Sequence, residues 1–351
     1  MNRFFRSPFF IRLTHWEYWN SAIVYAPLYP YWLWLSLKAR SIYFLTAANP
    51  SIKNGGFIME SKMDVYDILP AGSYPPTLLF PPAVKISEVL QRIADADITY
   101  PFIAKPDIGE RGLGVKKIET EADLKEYIAH MRVAFLIQKY VHYEKEVGIF
   151  YCKDPRSRKG HISGMVYKEP VTIVGDGIST LEMLVKQNDR YLLQWKQIKA
   201  RYPDKIGEVV DLAKTLILVP YGNHSRGSKF TDVTHMATPA LNRTIENLCS
   251  QIPDFYYGRL DIRFDNWDTL EKGHDLSIIE LNGSGSEPTH IYDPRHSILF
   301  AWREIIKHWK LLYDISKHNK DQGTPYITFA QGRQEMRSFK AIESLLSVRN
   351  W

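Results

Sequence analysis

Cysteine is nearly absent: Cys152 and Cys249 are the two in 351 residues. They stand far apart, outside any CxxC or Cys/His cluster, so neither a disulfide framework nor a zinc site organises the chain. That usage fits a reducing compartment, and a cytoplasmic location is the expectation. Also missing is an uninterrupted apolar run. The N-terminal MNRFFRSPFFIRLTHW mixes basic and apolar residues without the apolar centre and small-residue cleavage site of a secretory leader. In the most apolar stretch, SAIVYAPLYPYWLWLSLKARSIYFLTAANP, Pro27, Pro30, Lys38 and Arg40 interrupt the hydrophobic residues well short of a membrane-spanning length. Internal repeats and low-complexity tracts are lacking. So is a strong charge of one sign: a net +6 is modest for this length and scattered, and no nucleic-acid partner is expected. Arg156, Arg158 and Lys159 do cluster, in a turn-like stretch that reads as a solvated hairpin tip or, alternatively, a polyanion contact.

What the chain has is enough apolar material, 45% hydrophobic residues beside 24% charged, for two or three packed subdomains. Residues 16–48 are rich in Trp, Tyr and Phe with Lys and Arg nearby. Such a segment suits a buried or dimer-packing role, which would make the chain a homodimer. It equally suits a helix lying in a membrane interface, which would place the chain peripherally at the inner face of a membrane.

Periodicity predicts alternating elements. MESKMDVYDIL, residues 59–69, reads as an amphipathic helix stopped by Pro70, and Ser87 as the cap of the helix SEVLQRIADAD. TYPFIAKP then reads as a strand entering the turn DIGERGLG, with a second strand, VKKIE, beyond it. Thr120 with Asp123 resembles a capping box for EADLKEYIAHM, and FLIQKYV is a short strand ending in a polar hinge. EVGIFYC, HISGMVYK and VTIVGDG follow as strands, and LEMLVKQNDRYLLQWKQI as a helical region capped by Thr180. A helix from Pro239 to Ser250, strands YYGRLDIRF and LSIIELN, and a helix from about His296 to Ile315 complete the pattern.

Two groups of residues point to chemistry. Asp261 lies on one strand; Glu280 and Asn282 lie two residues apart on another, hence on one face. Oxygen donors without sulfur or imidazole favour magnesium (or manganese) over zinc, and magnesium held by few carboxylates completes its shell with substrate phosphates. ATP is the partner this implies. The second group is Lys105 at a strand end, followed by Gly109, Gly112 and Gly114. Glycines let backbone amides approach phosphate oxygens, and a lysine adds a point charge. The spacing is neither the Walker pattern nor the dinucleotide fingerprint, and a plain glycine hairpin is the alternative.

Taken in order, these motifs resemble the ATP-grasp superfamily over roughly residues 60–294, most of the chain. The resemblance implies an α+β fold of two subdomains clamping a nucleotide. SKMDVYDIL and PFIAKPDIGERGLGV are similar to the segments that supply the family's two nucleotide lysines, giving Lys62 and Lys105, with Gly109, Gly112 and Gly114 in a phosphate-covering lid. FLIQKYVHYEKEV resembles the hinge, so Gln138, Lys139, Tyr140 and Val141 would line adenine and Glu146 would take the ribose hydroxyls. YGRLDIRF and IIELNGSG resemble the two metal-bearing strands, with Asp261, Glu280 and Asn282 on the metal and Arg259 beside them. YKEPVTIVGDGISTLEML looks like the cyanophycin-synthetase and glutathione-synthetase branch, and GRLD with ELN looks like D-alanine:D-alanine ligase. Lys168 is then a candidate catalytic residue with Arg259 and Lys105, and His224 and Arg226 are candidates for phosphate or carboxylate contacts.

The implied reaction activates a small-molecule carboxylate as an acyl phosphate and joins it to an amine or thiol, forming ADP and phosphate. Arg259 and backbone amides near Gly283 and Gly285 would stabilise the tetrahedral oxyanion. A regulatory or interaction protein that only binds ATP, or a kinase, is the competing reading of the same fold. The implied division is an aromatic N-terminal region, 1–58, that is either a truncated preceding lobe or a membrane-interface segment; an N-terminal subdomain, 59–141; a C-terminal subdomain, 142–320; and a tail with a helix, 321–351. About sixty residues precede Lys62, too few for the full substrate lobe of many such ligases, and no counterpart appears of the acidic motif that holds the amino donor of D-alanine:D-alanine ligases.

Overall fold

The computed structural model describes residues 7–110, 112–219, 222, 224 and 227–347. Two antiparallel sheets carry the architecture. The first is built from β1 (Thr77–Phe80), β2 (Phe102–Pro106), β3 (Lys116–Ile118) and β4 (Phe135–Lys139), in the order β1-β4-β2-β3. The second uses β5 (Lys145–Lys153), β6 (Gly160–Glu169), β9 (Lys229–Asp232), β10 (Tyr257–Phe264) and β11 (Leu276–Asn282), in the order β11-β10-β5-β6-β9. A separate ribbon pairs β7 (Val171–Val174) with β8 (Thr215–Val219).

Helices cover the first sheet for the reason their sequences give. In Ile86–Asp95 the apolar Val89 and Ile93 recur at helical spacing and are buried beside Phe80 and Phe102. Its cap is Lys85, with no side-chain bond, rather than the expected Ser87. The Thr120–Asp123 capping box does form, at the head of Glu121–His130. The helix expected over 59–69 is shorter, Lys62–Asp67, because the Ser61 hydroxyl accepts from Asp64 N–H and starts the helix only there. The region LEMLVKQNDRYLLQWKQI breaks into Leu181–Gln187, Asp189–Leu192 and Trp195–Arg201, since Asn188 turns its side chain onto the amides of Arg190 and Tyr191 and caps a new start.

The second sheet has two unlike faces. One carries Val147, Ile149, Tyr151, Leu260, Ile262 and Phe264 against the helices Pro239–Cys249 and Trp267–Lys272. The opposite face changes character along its length. At one end Phe150, Cys152 and Tyr257 are covered by Leu312, Tyr313 and Ile315 of the long helix Ile298–Asp321, with Leu35 and Phe44 of the N-terminal region packed on the same cluster. At the other end the same face turns polar and faces the first sheet. Trp32 meets Trp309 edge-on, with ring centroids 5.0 Å apart, and the Trp302 indole donates to Val24 O. The aromatic region is therefore partly core, while Ile23, Leu33, Trp34 and Leu37 remain exposed. Among the described residues no helix is long and apolar enough to cross a membrane.

Residues 321–347, expected as a tail with a helix, carry a helix that packs against the rest of the fold. The helix Phe329–Leu346 sets Gly332 against the Tyr43 ring and carries Ile342 and Leu346 into the core of the first sheet. It ties the N-terminal region to the opposite lobe.

A single buried side chain knots the N-terminal region to the second sheet. Asn49 donates to Gly55 O (2.9 Å) and Tyr257 O (2.8 Å) and accepts from the amides of Tyr256 (2.9 Å) and Tyr257 (3.0 Å). Each buried backbone group left without a partner costs about 1–3 kcal/mol. Asn49→Leu is expected to lower the unfolding free energy by more than ~3 kcal/mol in denaturant titrations; a loss under ~1 kcal/mol would show that the knot is dispensable.

His308, fully enclosed on the long helix, packs edge-on against Phe150 at 4.6 Å. Burial, reinforced by the nearby charges of His290 and Lys307, pushes its imidazole down to about 3. Between that value and the ordinary 6.5 the unfolded chain binds the extra proton, so stability falls as pH drops through this window, by up to about 1.4 kcal/mol per pH unit from this group. Unfolding titrations from pH 6 to 4.5 should be correspondingly less steep for His308→Phe than for the native protein, and identical slopes would refute the assignment.

Candidate active site

The register of the second sheet assembles the polar end of its inner face. Arg259 lies opposite Asn282 and Asp261 opposite Glu280 across β10 and β11, with a bulge after Asp261. On the other side Asp261 faces Gly148 and Arg263 faces Glu146 on β5. Alternation therefore brings Glu146, Arg259, Asp261, Arg263, Glu280 and Asn282 to one surface. That surface and the first sheet enclose a cleft of about 620 Å³, which Lys62, Lys105, Gln138, Lys139, Tyr140, Val141, Lys168, Gly109 and Gly112 also line.

Four charges are packed together on the second-sheet side. Lys168 of β6 stands 2.9 Å from Glu146 Oε1 and 2.9 Å from Asp261 Oδ1. Arg259 Nε donates to the same Asp261 oxygen at 3.1 Å. Burial alone would raise the Asp261 carboxyl, but Arg259 and Lys168 outweigh it and hold it below the usual carboxylate range. For Lys168, burial favours the neutral amine, and Asp261 and Glu146 reverse that, so the ammonium is retained. A Cβ at residue 148 would lie 3.0 Å from Asp261 Oδ1 and 2.9 Å from Val166, which is why glycine occupies the position beneath this pairing.

The first sheet contributes Lys105, whose ammonium donates to the Tyr66 hydroxyl (2.8 Å), Gln138 Oε1 (2.9 Å) and Ile279 O of β11 (3.2 Å). Burial pushes it down to about 8, with Glu280 partly opposing. Lys62 holds the start of the glycine turn by donating to Asp107 O (3.3 Å) and Gly109 O (2.7 Å). Gly114 is not brought to the cleft: with φ +70° it sits behind the turn against the Pro106 ring and Leu346.

His224 reaches the cleft wall stacked on Tyr292, ring centroids 4.9 Å apart, and burial with the charge of Arg190 pushes it down to about 3, leaving it neutral. Arg226 lies outside the described residues. Arg156, Arg158 and Lys159 occupy the β5–β6 turn, where the Asp154 carboxylate accepts from the Arg156 amide at 2.9 Å.

Two features escape sequence reasoning. Glu60 lines the cleft with Oε2 buried and unpartnered, and burial pushes its carboxyl up to about 8, Lys62 opposing and Glu280 adding. Glu287 also lines it, accepting from the hydroxyls of Tyr25 (2.5 Å) and Tyr292 (3.1 Å). Neither stands at a motif position, so no local signal marks them. The amides proposed near Gly283 and Gly285 require a correction. Ser284 N–H donates to Gly55 O and Gly285 N–H to Gly56 O, each at 2.9 Å. These two donors are committed within the protein, which leaves Arg259 as the side-chain member of that expected group.

Among the described residues no three His, Cys, Asp or Glu side chains converge on a point that would hold an ion alone. Asp261 and Glu280, with Asn282 half-buried beside them and its buried amide nitrogen unpartnered, instead make an incomplete set of hard donors. Such a set fits a magnesium-type cation that brings phosphate oxygens of its own.

No family model matches the chain. It is 25% identical over 215 residues to the glutathione biosynthesis bifunctional protein GshAB of Streptococcus mutans, covering 55% of this chain and 28% of that protein. It is 22% identical over 213 residues to GshAB of Clostridium perfringens, covering 54% and 26%. The chain thus spans little more than a quarter of these curated relatives. Among solved structures it is similar to a bifunctional glutathione synthetase from Pasteurella multocida (TM-score 0.37, 13% identity, 74% of this chain and 36% of that one). It is similar also to VanG D-Ala:D-Ser ligase from Enterococcus faecalis (TM-score 0.40, 13% identity, 72% and 61%). The fold is α+β, with two antiparallel sheets closing on one cleft.

Removing one member of a buried ion pair costs about 3–5 kcal/mol because the other is stranded. Lys168→Met should lose stability on that scale in denaturant titrations, and an unchanged midpoint would show that Asp261 and Glu146 are satisfied without it.

Proposed function

We propose that this chain is an ATP- and magnesium-dependent ligase that activates a carboxylate as an acyl phosphate and couples it to an amine, releasing ADP and phosphate. The observation that carries this reading is the opposition, across one cleft, of Lys62, Lys105 and the glycine turn to the Arg259–Asp261–Glu280–Asn282 face. The division into subdomains at 59–141 and 142–320 belongs to the same reading.

Gln138 to Val141 and Glu146 would receive the base and ribose between the sheets, and Lys105 and Lys62 the phosphates; all line the one cleft. Asp261, Glu280 and Asn282 would hold magnesium, which when bound neutralises phosphate charge as it moves. Lys105 supplies fixed positive charge from the first sheet, and Lys168 supplies it from the second. Arg259, anchored through Nε to Asp261 and Nη1 to Glu287 O (3.3 Å), is oriented to meet the carbonyl oxygen of the acyl phosphate as the amine attacks. Closure of the turn over the cleft would exclude water, which otherwise hydrolyses the acyl phosphate.

Purified protein with ATP and magnesium should release ADP in response to some member of pools of amino acids, dipeptides and fatty or hydroxy acids. Arg259→Met should lower turnover by ~10²–10³-fold, as loss of one oxyanion donor does, while still binding a non-hydrolysable ATP analogue. Nucleotide binding with no acceptor-dependent ADP from any pool would move the assignment to an ATP-binding regulatory protein.

A further inference from the structure

Phe57, Gly285, Ser286 and Glu287 wall the cleft on one side and a second cavity of about 240 Å³ on the other. The far wall is apolar and largely aromatic, with Tyr29 and Trp32 from the N-terminal region and Trp309 and Leu312 from the long helix. A dry apolar cavity of about 150 Å³ already accepts benzene, so this volume suits a ring with a short substituent.

Two polar groups in these walls lack partners. The Ser284 hydroxyl and His308 Nε2 are both buried without a hydrogen bond, in residues 4% and 0% exposed. His308 Nδ1 is turned to the Tyr257 hydroxyl at 3.5 Å, which leaves Nε2 as the nitrogen without a partner. Unmade hydrogen bonds of this kind are costly inside a protein, and a ligand carrying a matching group would satisfy them. Where the cavity meets the cleft the lining is acidic: Glu287 is shared by both, and Glu60, with its unpartnered oxygen, lines the cleft side.

We propose that this cavity is the subsite for the amine substrate, and that it receives a ring-sized apolar body bearing one hydrogen-bonding group while the amino end passes Glu287 toward Glu60 and Arg259. The aromatic N-terminal region is then a wall of the substrate site. What happens to the amine rests on the ligase reading; what the cavity binds rests on its own walls.

Calorimetric titration of the full chain without ATP separates the two. Tyramine carries ring, hydroxyl and amine; phenethylamine lacks the hydroxyl; ethanolamine lacks the ring. Tyramine is expected to bind saturably and about fivefold more tightly than phenethylamine, with ethanolamine showing no saturable heat. Ser284→Ala or His308→Phe should bring tyramine to the level of phenethylamine. Leu312→Phe, which fills the cavity, should weaken both ring amines at least tenfold; if its melting shows that it does not fold, Tyr29→Trp at the half-exposed mouth serves instead. Ethanolamine binding as well as the ring amines, equal binding of tyramine and phenethylamine, or ring-amine binding untouched by the filled cavity would each overturn the proposal. Acceptor-dependent ADP release that ignores Leu312→Phe would sink the cavity assignment and leave the ligase standing, whereas ring-amine binding without any ADP release would do the reverse.

Discussion

Four charges packed together on one sheet face constrain everything around them. Taking Lys168, Glu146, Asp261 and Arg259 out of water is expensive, and the mutual attraction that offsets it requires contacts near 3 Å. The structure supplies these: Lys168 bridges two carboxylates, and Arg259 shares one of them. The pairing fixes the register of β5, β6 and β10, because a slip by one residue on any of these strands would turn its charges into the apolar core on the other face. It also explains the smallest side chain in the neighbourhood, since any Cβ at Gly148 would press on Asp261 and Val166. The lattice thus specifies a geometry as well as contributing energy, and that geometry is what aims Glu280 and Asn282 into the cleft.

The surrounding elements hold this face against the other lobe. Gly55 and Gly56 run alongside Gly283 and Gly285, and a Cβ at Gly56 or at Gly283 would sit 2.6 Å from backbone of the other segment. Glycine permits the approach, and the amides of Ser284 and Gly285 use it to bond Gly55 and Gly56. Asn49 shares the same Gly55 carbonyl and ties it to Tyr257. Beyond that, the helix Phe329–Leu346 reaches from Tyr43 to the core beneath β2 and β3, where Leu346 touches the back of the glycine turn. Any opening of the cleft must work against these ties.

Much of this was legible in the sequence because its causes are local. Strand alternation marks Glu280 and Asn282 as neighbours, the Thr120 capping box announces its helix, and the order of Lys62, Lys105, the glycine turn and the acidic strands carries the resemblance to ATP-grasp. What was not legible depends on contacts between distant segments. Asn49, Glu60 and Glu287 belong to no motif; Asn49 and Glu287 acquire their roles from partners more than two hundred residues away, Tyr257 and Tyr25, and Glu60 from its place in the cleft wall. The commitment of the Ser284 and Gly285 amides could not be foreseen either, since their acceptors, Gly55 and Gly56, lie in the NGG of residues 54–56. The aromatic N-terminal region was ambiguous for a different reason: composition distinguishes poorly between a core, an interface and a pocket wall, and in the fold one stretch supplies buried and exposed residues in alternation.

Because the amides of Ser284 and Gly285 are engaged, the positive charge on this side of the cleft comes from side chains. Arg259 cannot leave Asp261 without stranding a buried carboxylate, so its guanidinium is fixed in place, and only the edge not used by Asp261 and Glu287 is open to a substrate oxygen. A donor held this way needs little reorganisation when charge develops, which is the property that makes oxyanion stabilisation effective. Lys168 is in the opposite position. It balances two carboxylates, and any cation that engages Asp261 must share or displace that ammonium, shifting it toward Glu146. The same lattice that keeps Arg259 rigid therefore couples occupation of the Asp261 side to the position of the one lysine able to move between the two carboxylates.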